Sequence, residues 1–178
     1  MMFRLTVDDE ISLYLISETF VARYVELVAA DESYLAQWME WPRHCKTEEE
    51  FKQFVKSSLH HYAEGQSMTC AIAYYDEVVG NVGFNTINHT LKVAEIGYWL
   101  GQQYQGKGIV TRACRYLIDY AFKVLELEKV QISAAEDNLP SRAVCERLGM
   151  QLEGIITNRE KVGNRILNHA IYGIHKNK

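Results

Sequence analysis

Gln103-Tyr104-Gln105-Gly106-Lys107-Gly108 is a two-glycine stretch between two apolar-patterned runs, Ile96-Gly97-Tyr98-Trp99-Leu100 and Ile109-Val110-Thr111-Arg112-Ala113. That order predicts a strand, a short glycine loop and a helix start. Several backbone N–H groups would then converge, without partners, beside the positive end of the helix macrodipole. Such a spot suits an anion with several oxygens, and a pyrophosphate fits it well. Glycine removes the Cβ that would block a close phosphate and takes φ > 0 without strain. The expected binding residues are Gln105, Gly106, Lys107, Gly108, Ile109, Val110 and Thr111, with Trp99 and Leu100 at the end of the preceding strand.

The stretch is neither of the common nucleotide loops. No Gly-x-x-x-x-Gly-Lys-Ser/Thr is present, and no Gly-x-Gly-x-x-Gly with an acid about twenty residues on. Gln103, Gly106 and Gly108 instead fit Gln/Arg-x-x-Gly-x-Gly/Ala, which resembles the acetyl-coenzyme A signature of the GNAT superfamily of N-acetyltransferases. A second stretch agrees with this. Asn138-Leu139-Pro140-Ser141 followed by Gly149-Met150 resembles the superfamily's Asn-x-x-Ser/Ala and Gly-Phe pair. Taken alone, Asn138 and Ser141 read as loop and helix-capping residues. The resemblance implies that Asn138 reaches the pantetheine arm or the backbone holding it.

Many members of the superfamily carry a tyrosine seven residues after that asparagine, as the acid that protonates the departing thiolate; this chain has Cys145 there. Ser141 is the nearest hydroxyl that could replace it. Within the superfamily the chain is most similar to the ribosomal-protein N-terminal acetyltransferases of the Rim type. The similarity lies in Trp41-Pro42, Gly97-Tyr98-Trp99-Leu100, Asn138-x-x-Ser141 and Glu160. It implies Glu160 as the base and Ser141 as the acid. Without it, a glutamate beside a hairpin reads as a solvated strand residue.

The elements that must hold these residues follow from periodicity. Residues 1 to 8 read as an arm before a strand at Ile11–Leu15. Helical pieces follow over Glu18–Ala30 and Glu32–Met39, closed by Trp41-Pro42. Thr47-Glu48-Glu49-Glu50 is a capping box opening a helix whose apolar face is Phe51, Phe54, Val55, Leu59 and Tyr62. Strands over Thr69–Tyr75 and Val78–Thr86 form a hairpin, and Val93–Leu100 leads into the glycine loop. The next helix places Val110, Ala113, Leu117, Tyr120 and Val124 on one side. A strand at Val130–Ala135, a helix from Pro140 to Leu148 and a final hairpin around Gly163-Asn164 complete the chain. The fold class is therefore α/β (α+β), with one mixed central sheet flanked by helices. The acetyl-CoA N-acyltransferase fold has this order, and its sheet is mostly antiparallel.

At 178 residues with two prolines and no Ser/Gly tract, one domain over 1–178 is expected. No apolar run reaches the ~20 residues of a membrane span, and the N-terminus lacks the order of a secretion signal. Cys45, Cys70, Cys114 and Cys145 have no metal-ligand spacing, so no metal is expected and the thiols suit a reducing cytoplasm. A net charge of −4 offers no footprint for nucleic acid and favours a cationic substrate. His60-His61 reads as a solvated helix face.

Acetyl transfer to an amine needs a deprotonated amine, a held thioester, a stabilised oxyanion and a protonated leaving thiol. The amides of pantetheine would pair with Tyr98-Trp99-Leu100 like an added strand, if that strand splays from Val130–Ala135. Gly97 is the expected bulge. A backbone N–H near Leu100 would then face the thioester oxygen. Tyr34, Trp38 and Trp41 are expected to wall the acceptor groove, or else to be core aromatics. The expected acceptor is the α-amine of a ribosomal protein, with acetyl-CoA as co-substrate. The alternatives are a small amine, such as a polyamine or aminoglycoside, and a non-catalytic acyl-CoA-binding module. The edge strands of the final hairpin point to a homodimer or a higher homo-oligomer.

Overall fold

The computed structural model describes residues 3–176. Eight strands form one sheet in the order β1-β2-β3-β4-β5-β6-β8-β7: β1 Arg4–Thr6, β2 Ile11–Leu15, β3 Met68–Tyr74, β4 Glu77–Asn88, β5 Val93–Leu100, β6 Lys129–Ala135, β7 Gln151–Val162 and β8 Arg165–His175. Every neighbouring pair is antiparallel except β5–β6. The expected mixed, mostly antiparallel sheet is thus present. The arm expected over residues 1–8 is corrected, because Arg4–Thr6 pairs with Ser12–Tyr14 as an edge strand.

Four helices cover the sheet: α1 Val21–Leu35, α2 Glu48–Ala63, α3 Ile109–Lys123 and α4 Leu139–Arg147. The two helical pieces expected before Trp41 are present within α1, meeting at a kink where Asp31 leaves the helical region (φ −119°, ψ 17°). The Asp31 carboxylate accepts the Gln102 N–H at 2.7 Å, tying that kink to the end of β5. In α2 the capping box forms in full: Thr47 accepts from Glu50 N–H and the Glu50 carboxylate accepts from Thr47 N–H. The buried stripe of α2 is narrower than expected. Phe51, Val55 and Ser58 are buried, whereas Phe54 and Leu59 remain substantially exposed. In α3, Ile109, Ala113, Leu117 and Ala121 enter the core, but Val124 is exposed. Val124 follows the last helical residue and so falls outside the helical period.

One continuous apolar core joins both faces of the sheet to α1, α2, α3 and α4. A satellite cluster of Ala135, Val162 and Leu167 under Trp38 seats the last hairpin. Its turn is held against the segment after α1: Glu40 accepts the Gly163 N–H at 2.6 Å, and Arg165 donates to the Gln37 carbonyl and lies over the Trp38 ring.

The parallel pairing of β5 and β6 begins at Val93–Lys129 and stops at Ile96–Ile132. Beyond it β5 stays paired to β4 as far as Leu100, and β6 stays paired to β8 as far as Ala135. The two strands therefore diverge, and a gap opens inside the sheet. The bulge expected at Gly97 lies across from it instead. Pairing slips between Phe84 and Thr86, so Asn85 is the extra residue. Gly97 is what makes room for it, because a Cβ there would stand 2.3 Å from the Asn85 side-chain nitrogen.

Candidate active site

The glycine loop joins β5 to α3, as its composition predicts. Gly106 and Gly108 take φ of +75° and +71°, and nothing lies within 4 Å of where a Cβ would sit on either. Gly108 is the N-cap of α3 and offers no side chain to the first turn. Among the described residues, no group accepts a backbone N–H from Gly106 through Thr111; the first bond of the helix is Arg112 N–H to the Gly108 carbonyl. Six successive donors thus lack a partner at the positive end of a 15-residue helix. The Lys107 ammonium lies 5.4 Å and 5.7 Å from the ring centres of Tyr74 and Tyr104, where a cation is attracted to both aromatic faces, and Lys107 does not line the cavity. Gln103 is also outside the cavity wall, whereas Gln105 lines it and donates from Nε2 to the Tyr34 hydroxyl.

A cavity of about 1290 Å³ runs from this loop through the gap between β5 and β6. That exceeds the usual 300–1,000 Å³ of a single small-ligand pocket, so there is room for two substrates. Alternation along β5 sends neighbouring side chains to opposite faces. Tyr98 faces α4, where its hydroxyl lies 2.8 Å from Ser141 Oγ. Burial pushes the Tyr98 hydroxyl pKa up, so it keeps its proton. Asn138 caps α4, with Oδ1 accepting from Ser141 N–H at 3.3 Å, and both residues line the cavity. Cys145 does not. It is fully buried, its Sγ lies 3.6 Å from the Ser141 carbonyl, and burial pushes its thiol up to about 12. Arg147, a residue the motifs did not single out, lines the same wall and reaches Thr111 Oγ1 at 3.4 Å.

On the other face, Trp99 packs against Tyr24 and Trp41, with ring centres 5.4 Å and 5.6 Å apart. Trp41 also meets Phe51 edge-on at 6.2 Å. Tyr34, Trp38, Trp41 and Trp99 all line the cavity. Tyr34, Trp41 and Trp99 also pack against the main core and Trp38 against the satellite cluster. Glu160 and Arg159 border this end, with the Glu160 side chain 38 % exposed. Sequence reasoning missed three polar residues here. Glu95 accepts from Gln131 Nε2 at 2.9 Å, and His169 and Ser133 hydrogen-bond at 2.7 Å. A lone histidine in an apolar strand carries no spacing signal. Glu95 and Ser133 could be found only by knowing where β5 leaves β6.

The chain matches the acetyltransferase (GNAT) domain family over residues 14–151. It is 32% identical over 154 residues to a putative ribosomal N-acetyltransferase of Bacillus subtilis, covering 86% of this chain and 84% of that protein. It is 31% identical to the ribosomal-protein-serine acetyltransferase of Escherichia coli, covering 86% of each. Among solved structures, it is similar to the ribosomal L7/L12 alpha-N-protein acetyltransferase in complex with coenzyme A. That likeness has a TM-score of 0.93 and 25% identity over 97% of this chain and 98% of that one. The partnerless donors of residues 106–111 and the long gap beside β5 fit a pyrophosphate carried on an extended arm. The chain belongs to the GNAT acetyltransferase family and is an N-acetyltransferase that uses acetyl-CoA.

Proposed function

We propose that the acceptor is the N-terminal α-amine of a ribosomal protein, that Glu160 is the base, and that Ser141 supplies the proton to the departing thiol. One observation carries the reading: Glu160 and Ser141 border a single cavity that also takes in the glycine loop and the aromatic wall. Backbone donors from Gly106 to Thr111, with Arg147 beside them, hold the diphosphate. Asn138, Trp99 and Leu100 border the path of the pantetheine arm, and Tyr34, Trp38 and Trp41 wall the peptide entry. Glu160 takes the proton of the incoming ammonium directly or through one water. Free amine and thioester then meet in fixed orientation. The Ser141 hydroxyl, linked to Tyr98, faces the leaving sulfur.

The acidity of the amine supports an α-amine. An α-ammonium titrates near 7.7–8.0 and a lysine near 10.4, a difference of about 3.5 kcal/mol in deprotonation that a single carboxylate would have to supply. The ribosomal-protein relatives point the same way. Such an acceptor places the enzyme in the cytoplasm, and no helix among the described residues is long and apolar enough to cross a membrane. An acetyl-CoA consumption assay against ribosomal proteins, polyamines and aminoglycosides tests the acceptor. Turnover is expected on the first pool. Acetylation of spermidine but of no peptide amine would reject the reading. In the same assay Glu160→Gln is expected to lose most rate below the α-amine pKa and to recover above it. A loss constant from about pH 6 to 9, a range spanning that pKa, would make Glu160 a substrate holder.

Self-association belongs to the same reading. β7 is an edge strand with Leu152, Ile155 and Ile156 exposed, and Ile166 is exposed on the adjoining β8. Such a strand is a ready template for a second copy. Light scattering at micromolar concentration is expected to give a homodimer, and a monomer alone would remove it.

A further inference from the structure

His169 lies inside the sheet on β8, 9 % exposed, and lines the cavity. Its two ring nitrogens have unequal surroundings. Nδ1 is 2.7 Å from Ser133 Oγ on the neighbouring strand β6. Nε2 is cut off from solvent and makes no hydrogen bond, yet it stands 3.1 Å from Glu160 Oε2. The separation is that of a hydrogen bond while the angle is not yet one. With the Ser133 hydroxyl donating to Nδ1, the ring hydrogen resides on Nε2. The nearest acceptor for it is the Glu160 carboxylate.

Glu160 has need of such a hold. Pairing between β7 and β8 slips once between Leu152 and Gly154, runs on to Ile156–His169, and resumes only at Glu160–Leu167. Four steps along β7 thus answer two along β8, and Asn158 within the loop-out takes φ +52°. Asn168 secures the excursion by accepting the Asn158 N–H at 3.1 Å and donating to Glu136 at 3.0 Å. These bonds fix the backbone. They leave the Glu160 side chain, on the far shoulder of the bulge, without a backbone partner of its own.

We propose that His169, anchored by Ser133, is a positioning residue for Glu160: its Nε2–H engages Oε2 and so presents Oε1 to the acceptor amine. The line Ser133–His169–Glu160 then joins three strands, β6, β8 and β7, behind one carboxylate oxygen. The inference rests on Glu160 being the base, and a double-mutant cycle separates the two claims. His169→Ala is expected to lower kcat about tenfold, the scale of one hydrogen bond to a charged group. KM and affinity for acetyl-CoA should stay unchanged. His169→Gln, which keeps a donor near the Nε2 position, should recover most of the loss. In a Glu160→Gln background His169→Ala should add nothing. The same fold-loss in both backgrounds would mean a merely structural role and overturn the proposal, leaving the base intact. A Glu160→Gln enzyme of full activity would overturn the base reading and this proposal with it. Should His169→Ala fail to fold, Ser133→Ala removes only the anchor, and its smaller kcat loss must likewise vanish in the Glu160→Gln background.

Discussion

The cavity has two ends built on different principles. At the glycine loop the available groups are partnerless main-chain amides, the side chains that could have crowded them are absent at Gly106 and Gly108, and the Lys107 ammonium lies over the Tyr74 ring. At the Glu160 end the functional groups are side chains, held by contacts between residues far apart in sequence. Trp41 meets Trp99, Ser133 meets His169, and Glu40 holds Gly163. A site made of backbone needs only a local conformation. A site made of side chains needs the whole fold. The first should therefore fail through backbone geometry and the second through loss of single functional groups.

The sharpest test of that contrast is Ser141, where a helix start also supplies a side chain. Ser141→Ala is expected to lower kcat by roughly 10²–10⁴ with little change in acetyl-CoA affinity. Tyr98→Phe, which removes only the partner at 2.8 Å, should cost less. If Cys145→Ala causes the large loss instead, a thiol with no exposed surface would be the acid, and the geometry described above would be refuted. A smaller effect is expected at the other end. Gly108→Val must hold a β-branched residue at φ +71°, where even the general left-handed penalty is roughly 1–2 kcal/mol. Acetyl-CoA binding should weaken about tenfold or more, with kcat at saturation changed less. Calorimetry showing unchanged affinity would break the assignment of the loop.

The same contrast explains what could be read in advance. The glycine loop, the capping box of α2 and the turn into α4 are local, so residue order announced them. The splay of β5 from β6 was foreseeable because an added strand required it. The bulge was placed on the wrong strand for a physical reason. A glycine at 97 marks a close approach, but the extra residue that approaches is Asn85 across the ladder. Glu160 was reached only through resemblance, and His169 not at all. Both depend on a two-residue excursion of β7 that no turn motif in Thr157-Asn158-Arg159 advertises.

The divergence beyond Ile96 and Ile132 also bears on how the molecule holds together. It divides the sheet into two leaves, five strands from β1 to β5 and three from β6 to β7, joined by four register pairs. The inner edge of β5 that β6 leaves unpaired is the same place where an extended amide-bearing arm can lie. A ligand there would act as a ninth strand, so part of its binding energy would become cohesion between the leaves. Anything that binds the folded chain alone stabilises it, by about 2.7 kcal/mol at a hundred times its Kd. An enzyme whose co-substrate lay there as an added strand would register, in its own resistance to unfolding, how much of that co-substrate surrounds it.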